Sequence, residues 1–408
     1  MKKTFLKIIA VSFAVLITSC SSDDEPTTDP VVVPPVVVVP DVLTPQNVRT
    51  YMVDAAATDQ TVALFYNLKK FSKTKFAIGQ QDAFNSFYKD AGGDSDIKKT
   101  TGSDPAILGS DFMFITDKNN PSNNWFVQQE NKIIADTKAA YAKGIINIFS
   151  WHIREPNEED SFYTADMSAQ VKATAFKSIL PGGVNHDWYK TKLDKVASVI
   201  SSLKDQNGVL IPVIFRPFHE FDGGWFWWGA NYATADEYKK AFQFTVDYLK
   251  DTKGVHNILY AFSPDNSNTT SSGYLSRYPG DTYIDVLSMD NYGDLNNKGQ
   301  NGANTANTKL KIISDLAKTK VKIAALTETG YRVTSTNQPV ANWFSTYLYS
   351  ALTANDIEIA FVMFWVNSND GYYVPTPSAS NVADFKTFVT KPKAALLNGL
   401  PNMYVLPQ

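Results

Sequence analysis

Residues 211–229 read IPVIFRPFHEFDGGWFWWG. An apolar, strand-like run from Ile211 to Phe215 delivers Arg216, His219 and Glu220 to its C-terminal end, and Gly223 and Gly224 then turn the chain into Trp225, Phe226, Trp227 and Trp228. Polar side chains that directly follow a buried strand are the pattern of a barrel whose site is built at its strand ends. A carboxylate beside dense aromatic surface points to sugar chemistry, because rings stack on the apolar faces of pyranoses and a carboxyl group supplies the proton an acetal needs to break. The plain alternative is an aromatic core patch with a salt-bridged glutamate, and the adjoining Arg216-Pro217-Phe218-His219-Glu220 argues against it.

Outward from this stretch the same pattern recurs. Short apolar runs at Phe76 to Gln80, Ala106 to Phe112, Ile145 to Ser150, Ile211 to Arg216, Ile258 to Ser263, Ile284 to Asp290, Ile323 to Thr327 and Ile359 to Trp365 predict eight strands. Helical patterns lie between them at Gln128 to Lys143, Trp188 to Lys204, Ala235 to Lys250, Thr308 to Lys318 and Asn342 to Leu352. Leu193, Val196, Val199, Ile200 and Leu203 share one face of such a helix, opposite Asp194, Lys195 and Ser198. Eight alternations predict an α/β fold, a (β/α)8 TIM barrel forming a single catalytic domain.

A barrel places functional side chains immediately after its strands. Trp151 and His152 follow strand three, His219 and Glu220 strand four, Asp290 and Tyr292 strand six, Glu328 strand seven, and Trp365 and Asn367 strand eight. Each alone could be a cap, a turn former or a solvated charge. Glu220 and Glu328 stand out from the 41 acidic residues, since each ends an apolar strand with few charges beside it. Strands four and seven lie across the mouth from each other, so the two carboxyl groups can approach across one sugar ring. Retaining glycosidases need that separation to be about 5 to 5.5 Å. Glu220, among aromatics, is read as the acid/base with a raised pKa, and Glu328 as the nucleophile, held ionised by Arg216 and Tyr292. For Glu328 a rim ion pair is the competing reading. His219 either orients the acid, binds substrate or is a core histidine. His152 has similar standing, Trp225 and Trp365 are the stacking platforms, and Trp227 and Trp228 pack beneath the site.

The four histidines, His152, His186, His219 and His256, show no metal-ligand spacing, so no metal is expected, and no glycine loop for a phosphate or dinucleotide cofactor is present. With 44% hydrophobic and 19% charged residues over 408 positions the chain can build a large core, and a net charge of −3 gives no footprint for nucleic acid. Neutral polymers suit such a surface, and a monomer is expected.

The one cysteine, Cys20, follows a lysine-bearing start and an apolar stretch from Leu6 to Ile17. Residues 1–19 therefore read as a signal peptide, and Ile17-Thr18-Ser19-Cys20 resembles a bacterial lipobox, whose cysteine is acylated. The acidic Ser21-Ser22-Asp23-Asp24-Glu25 resembles the surface-export signal of Bacteroidetes lipoproteins, which implies an outer-membrane lipoprotein facing the cell surface rather than the periplasm. Residues 20–42, rich in Pro and Val, read as a semi-rigid tether, with an edge strand as the alternative, and 43–408 as the catalytic domain.

Arg216-Pro217-Phe218-His219-Glu220 with Gly224-Trp225-Phe226-Trp227-Trp228-Gly229 resembles the acid/base segment of glycoside hydrolase family 26, the β-mannanase family, and Leu326-Thr327-Glu328-Thr329-Gly330 resembles its nucleophile segment. Gly79-Gln80, Ser150-Trp151-His152, Tyr278-Pro279-Gly280-Asp281, Asp290, Tyr292, Phe364-Trp365 and Asn367 add to a resemblance that spans roughly Phe76 to Phe385. It implies Glu220 as acid/base and Glu328 as nucleophile, with His219 and Tyr292 assisting and with His152, Trp225, Trp365 and Asp290 on the substrate side. It also implies cofactor-free, retaining hydrolysis of β-1,4-mannosidic bonds in mannan, glucomannan or galactomannan. Mixed-linkage β-glucan or β-1,3-xylan hydrolysis is the alternative within the family, and a non-catalytic glycan-binding lipoprotein the alternative outside it. Phe221-Asp222 departs from the family's usual hydrophobic residue and Asn, which puts contacts on the leaving-group side in question.

Overall fold

A computed structural model describes residues 42–85, 94–118 and 129–408. The expected signal peptide, Cys20 and the tether up to residue 41 lie outside the described residues. Eight parallel strands, β1 (Phe76–Gln81), β2 (Ile107–Asp111), β3 (Ile146–Ser150), β4 (Val213–Arg216), β5 (Ile258–Phe262), β6 (Val286–Asp290), β7 (Ile323–Thr329) and β8 (Phe361–Phe364), pair in sequence order. β1 then pairs with both β8 and β2, which closes the barrel. A two-residue strand, β9 (Ala394–Ala395), adds to β1 at Phe76 and Ala77. The protein is a (β/α)8 TIM barrel.

Every strand is buried on both faces, which is why each reads as a near-continuous apolar run. The alternation of side chains sorts them into two cores. Ile148, Ile214, Leu259, Ala261, Val286, Ala325 and Phe361 fill the barrel, together with Leu43, Val48, Met52 and the helix Asp59–Phe71, which plug its N-terminal mouth. Phe149, Val213, Phe215, Tyr260 and Leu287 point outward against the helices. In this alternation Ile214 faces inward, so Arg216, two residues on, also enters the barrel and reaches its C-terminal mouth.

The expected elements differ from the observed ones where local chemistry intervenes. β4 begins at Val213 rather than Ile211, because Pro212 has no N–H to give the ladder. The helix Gly299–Lys320 starts nine residues before Thr308, since its Gly-, Asn- and Thr-rich first turns show no apolar stripe, yet Ala303 and Ala306 are buried there. β7 runs two residues beyond Thr327, through a register irregularity described below.

Candidate active site

Six of the nine residues expected at the site, Glu220, Glu328, Tyr292, His152, Trp225 and Trp365, line one cavity of about 280 Å³ at the C-terminal mouth. The other three, Arg216, His219 and Asp290, are buried beneath its floor. Arg216 is the hub of that floor. One guanidinium nitrogen donates to Asp290 at 2.6 Å and the other donates to Glu328 Oε1, so a single cation from β4 ties β6 to β7. Tyr292 donates to the second Glu328 oxygen, Oε2, at 3.0 Å. Both donors that sequence reasoning assigned to Glu328 are therefore in place.

Glu328 reaches this position through a fault in the sheet. Ile323 and Ala325 point into the barrel, so strict alternation would send Thr327 inward and Glu328 outward. Between Leu326 and Glu328 the register with β6 slips by one residue, pairing Met289 with Leu326 but Asp290 with Glu328. The extra residue re-aims the strand, as bulges do at barrel rims. Thr327 donates to Asp290 Oδ1 at 2.7 Å while Glu328 still reaches Arg216.

Glu220 is held differently. It follows β4 in a turn where both Phe218 and Glu220 take φ of 52°, a left-handed conformation that costs non-glycine residues about 1 kcal/mol or more. The turn is fixed from outside: the Glu220 N–H donates to Ser263 O at 2.8 Å, Trp228 Nε1 donates to His219 O at 2.7 Å, and Tyr238 OH donates to Phe218 O at 3.3 Å. The Glu220 carboxyl accepts one side-chain hydrogen bond, from Trp225 Nε1 at 2.6 Å. Gly223 permits this, since a β-carbon there would lie 2.4 Å from the Trp225 ring. Trp225 is 39% exposed and open to the cleft, whereas Trp227 and Trp228 are fully buried and pack as expected.

Electrostatics separate the two glutamates. Burial, then Asp290, Glu328 and Asp265, hold the Glu220 carboxyl well above the ordinary carboxylate range, against the pull of the Trp225 N–H. Burial and then Asp290 push Glu328 up to about 7, against Arg216 and His152, so its donors do not hold it in the ordinary carboxylate range as expected. Burial works against the charge on Arg216, but Asp290 and Glu328 outweigh it and keep the guanidinium protonated. Three carboxyl groups thus share one cation. Glu220 is the carboxyl that accepts no hydrogen bond from Arg216, and it is held well above the ordinary range.

Expectations for four residues need revision. Asp290 does not bind substrate: it is fully buried and accepts from Arg216, Ser263 and Thr327, so it anchors the floor. His219, read as a candidate to orient the acid, has its Nε2 3.1 Å from His152 Nε2 and 3.9 Å from Glu328 Oε1. Asp222 meets its own protein rather than the leaving-group side, accepting from Asp265 N at 2.6 Å and from the side chains of Ser267 and Asn268 to hold the loop after β5. Asn367 likewise braces its loop, donating to Asp96 and Val374 O.

Sequence reasoning missed Asp111, Tyr163 and Tyr373. Asp111 ends β2 and accepts from His152 Nδ1 at 2.5 Å, and the signal that singled out Glu220, an acid closing an apolar run, was there to find it. Tyr163 and Tyr373 line the cavity from loops, where no periodicity marks them. Among the described residues His219, Asp290 and Glu328 are the group that brings ligand atoms together, within 4.8 Å. Arg216 already donates to both carboxylates, so the positive charge of an ion would be added to one in place, and the set does not fit a metal.

At the mouth of a closed (β/α)8 barrel two glutamates, differently held, thus face one aromatic-lined cavity, the parts that two-carboxylate sugar chemistry uses. The sequence profile of glycosyl hydrolase family 26 matches residues 53–348, and the chain belongs to that family. It is 35% identical over 356 residues to a mannan endo-1,4-beta-mannosidase of Bifidobacterium adolescentis, a match covering 83% of this chain and 35% of that protein, so the chain spans about a third of that relative's length. Among solved structures it is similar to GH26C from Muricauda sp., with 55% identity and a TM-score of 0.88 over 90% of this chain and 100% of that one. A GH26 beta-mannanase from Bacteroides ovatus aligns with 31% identity and a TM-score of 0.76 over 85% of this chain and 97% of that one.

Proposed function

We propose that this protein hydrolyses β-1,4-mannosidic bonds of mannan, glucomannan or galactomannan with retention of configuration. The observation that carries the reading is the pair of glutamates in one cavity, one clamped by Arg216 and Tyr292 and the other free of any cation beside an exposed indole. Glu328 attacks the anomeric carbon while Glu220 gives its proton to the departing glycosidic oxygen, so the C–O bond to the leaving sugar breaks as the bond to Glu328 forms. Glu220, now a carboxylate, takes a proton from water, whose oxygen attacks the same carbon and frees Glu328. Trp225 and Trp365 supply stacking faces, the His152 ring part of the cavity wall, and Tyr292 a phenol that burial and the Glu328 charge keep protonated.

A second cavity of about 400 Å³ shares His152, Tyr163 and Trp365 with the first, which supports a cleft for more than one sugar unit. The mannan preference rests on the activities named for the Bifidobacterium and Bacteroides relatives. The test is to incubate the protein from Val42 onward with mannan, glucomannan, lichenan and β-1,3-xylan and to follow reducing ends and product size. Release from mannans is expected; release from lichenan or xylan alone would reassign the substrate, and binding without release would make the protein a glycan-binding module.

The same reading includes an outer-membrane lipoprotein, with residues 1–19 as the signal, acylation at Cys20, residues 20–42 as the tether and the cell surface as its site. The lipobox-like Ile17-Thr18-Ser19-Cys20 and the acidic residues after it support this. Cys20→Ala is expected to abolish incorporation of labelled palmitate and release the enzyme from the membrane fraction.

A further inference from the structure

Beneath the cavity a chain of hydrogen bonds runs from β2 across to β4 and ends against the carboxylate proposed as nucleophile. It begins at Asp111, whose two oxygens take four donors: Met113 N at 2.8 Å, His152 N at 3.1 Å, Ser150 Oγ at 3.0 Å and His152 Nδ1 at 2.5 Å. A carboxyl with every acceptor site filled by a donor is an anion, and burial, which opposes the charge, is outweighed by His152 and these amides. His152 therefore carries a proton on Nδ1. Its other nitrogen, Nε2, lies 3.1 Å from His219 Nε2. Two N–H groups would collide there and two lone pairs would repel, so the gap holds one proton.

That proton is the polar group next to Glu328, for His219 Nε2 is 3.9 Å from Glu328 Oε1. His219 is fully enclosed, and its Nδ1 has no hydrogen-bond partner among the described residues. Phe226 and Trp228 pack on its ring, so it has no room to reorient toward other partners. Burial, Arg216 and His152 all disfavour a charge on His219.

Resting on the glycosidase reading, we propose that Asp111 is a positioning residue of the reaction: by fixing the proton on His152 Nδ1 it sets, through His152 and His219, the single proton that faces Glu328. The logic is that of a buried carboxylate that fixes a histidine tautomer without itself giving up or taking a proton. The other charged groups facing the histidine pair are Arg216 and Glu220 from β4 and its turn, Asp290 from β6 and Glu328 from β7, with Asp82 beyond Asp111 at the end of β1. None of them contacts His152 Nδ1, so Asp111 alone decides that site.

The test has two arms on the protein from Val42 onward. Long-range proton–nitrogen NMR of the ¹⁵N-histidine-labelled wild type should show His152 protonated at Nδ1 at neutral pH; a bare Nδ1 overturns the proposal, whatever the enzyme hydrolyses. In Asp111→Asn the carboxamide can turn its NH2 toward His152 Nδ1, and kcat should fall on the order of a hundredfold with KM little changed. The acidic limb of kcat/KM should move to higher pH, since the flipped tautomer turns the lone pair of His219 Nε2, in place of its N–H, toward Glu328. Loss of activity only in step with loss of folded protein, with limb and tautomer unchanged, would make Asp111 merely structural and overturn the proposal. If the substrate reading fails instead, the tautomer result stands by itself.

Discussion

Glu220 and Glu328 are the same residue type at the ends of opposite strands, and the protein treats them oppositely. Glu328 is 5% exposed, accepts from Arg216 and Tyr292, and stands in a bulge of a strand hydrogen-bonded on both edges. Glu220 is half-buried, accepts one indole N–H, and hangs from a turn in left-handed conformation. Both carboxyl groups are disfavoured as anions by burial, yet only Glu328 has a cation against it. The difference teaches that the division of labour in a two-carboxylate site is set by which acid the buried guanidinium touches, because burial alone raises both.

The strongest way to break the comparison is to remove the clamped acid. Glu328→Ala should lower kcat by at least about 10⁴-fold while mannan retardation in a native gel persists, since covalent catalysis is lost and the cleft is not. Loss of retardation as well would mean that Glu328 holds the mouth together. Removing one arm of the clamp should do less: Tyr292→Phe keeps Arg216 in place, and kcat should drop roughly 10- to 100-fold, with the acidic limb of the rate profile moving to higher pH as Glu328 becomes harder to ionise.

Trp225→Phe sharpens the other side. The indole N–H favours the ionised form of Glu220, so its loss should raise the proton affinity of the acid and carry the alkaline limb of kcat/KM to higher pH. The stacking face is retained, so the rate at the optimum should change by a few-fold at most, and an unmoved limb would show that the indole does not act on Glu220. The smallest effect is on stability. A carboxyl whose folded pKa is raised binds its proton more tightly in the native state, so this contribution is full at low pH and is lost as pH rises above the unfolded value of 4.5. Glu220→Gln has no such loss, and its Tm should equal that of the wild type near pH 4 and exceed it increasingly toward neutrality.

Much of this site was legible along the chain because strand ends in a barrel are read by position. Glu220, Glu328, Tyr292, His152, Trp225 and Trp365 each follow an apolar run, and all six meet in the cavity. The same rule points to Asp111, which closes β2. What could not be read was depth. Asp290 closes β6 as plainly as Glu328 stands near the end of β7, but it lies under the floor, because burial beneath Arg216 depends on three strands at once. Tyr163 and Tyr373 come from loops whose paths are set by long-range contacts such as the bridge from Tyr163 to Phe226.

By itself the sequence determined the barrel, since eight apolar runs spaced by amphipathic helices have one closed solution that buries both faces of every strand. It also determined which acids stand at the mouth. Only the tertiary structure decided where they point and which one the cation touches: the slip between β6 and β7 turns Glu328 inward against its expected parity, and the register of β4 brings Arg216 to Glu328 rather than to Glu220. The reason is physical. Strand identity is a local property of side-chain patterning, whereas the aim of one side chain after a bulge and the field of one buried cation are sums over neighbours far apart in the chain.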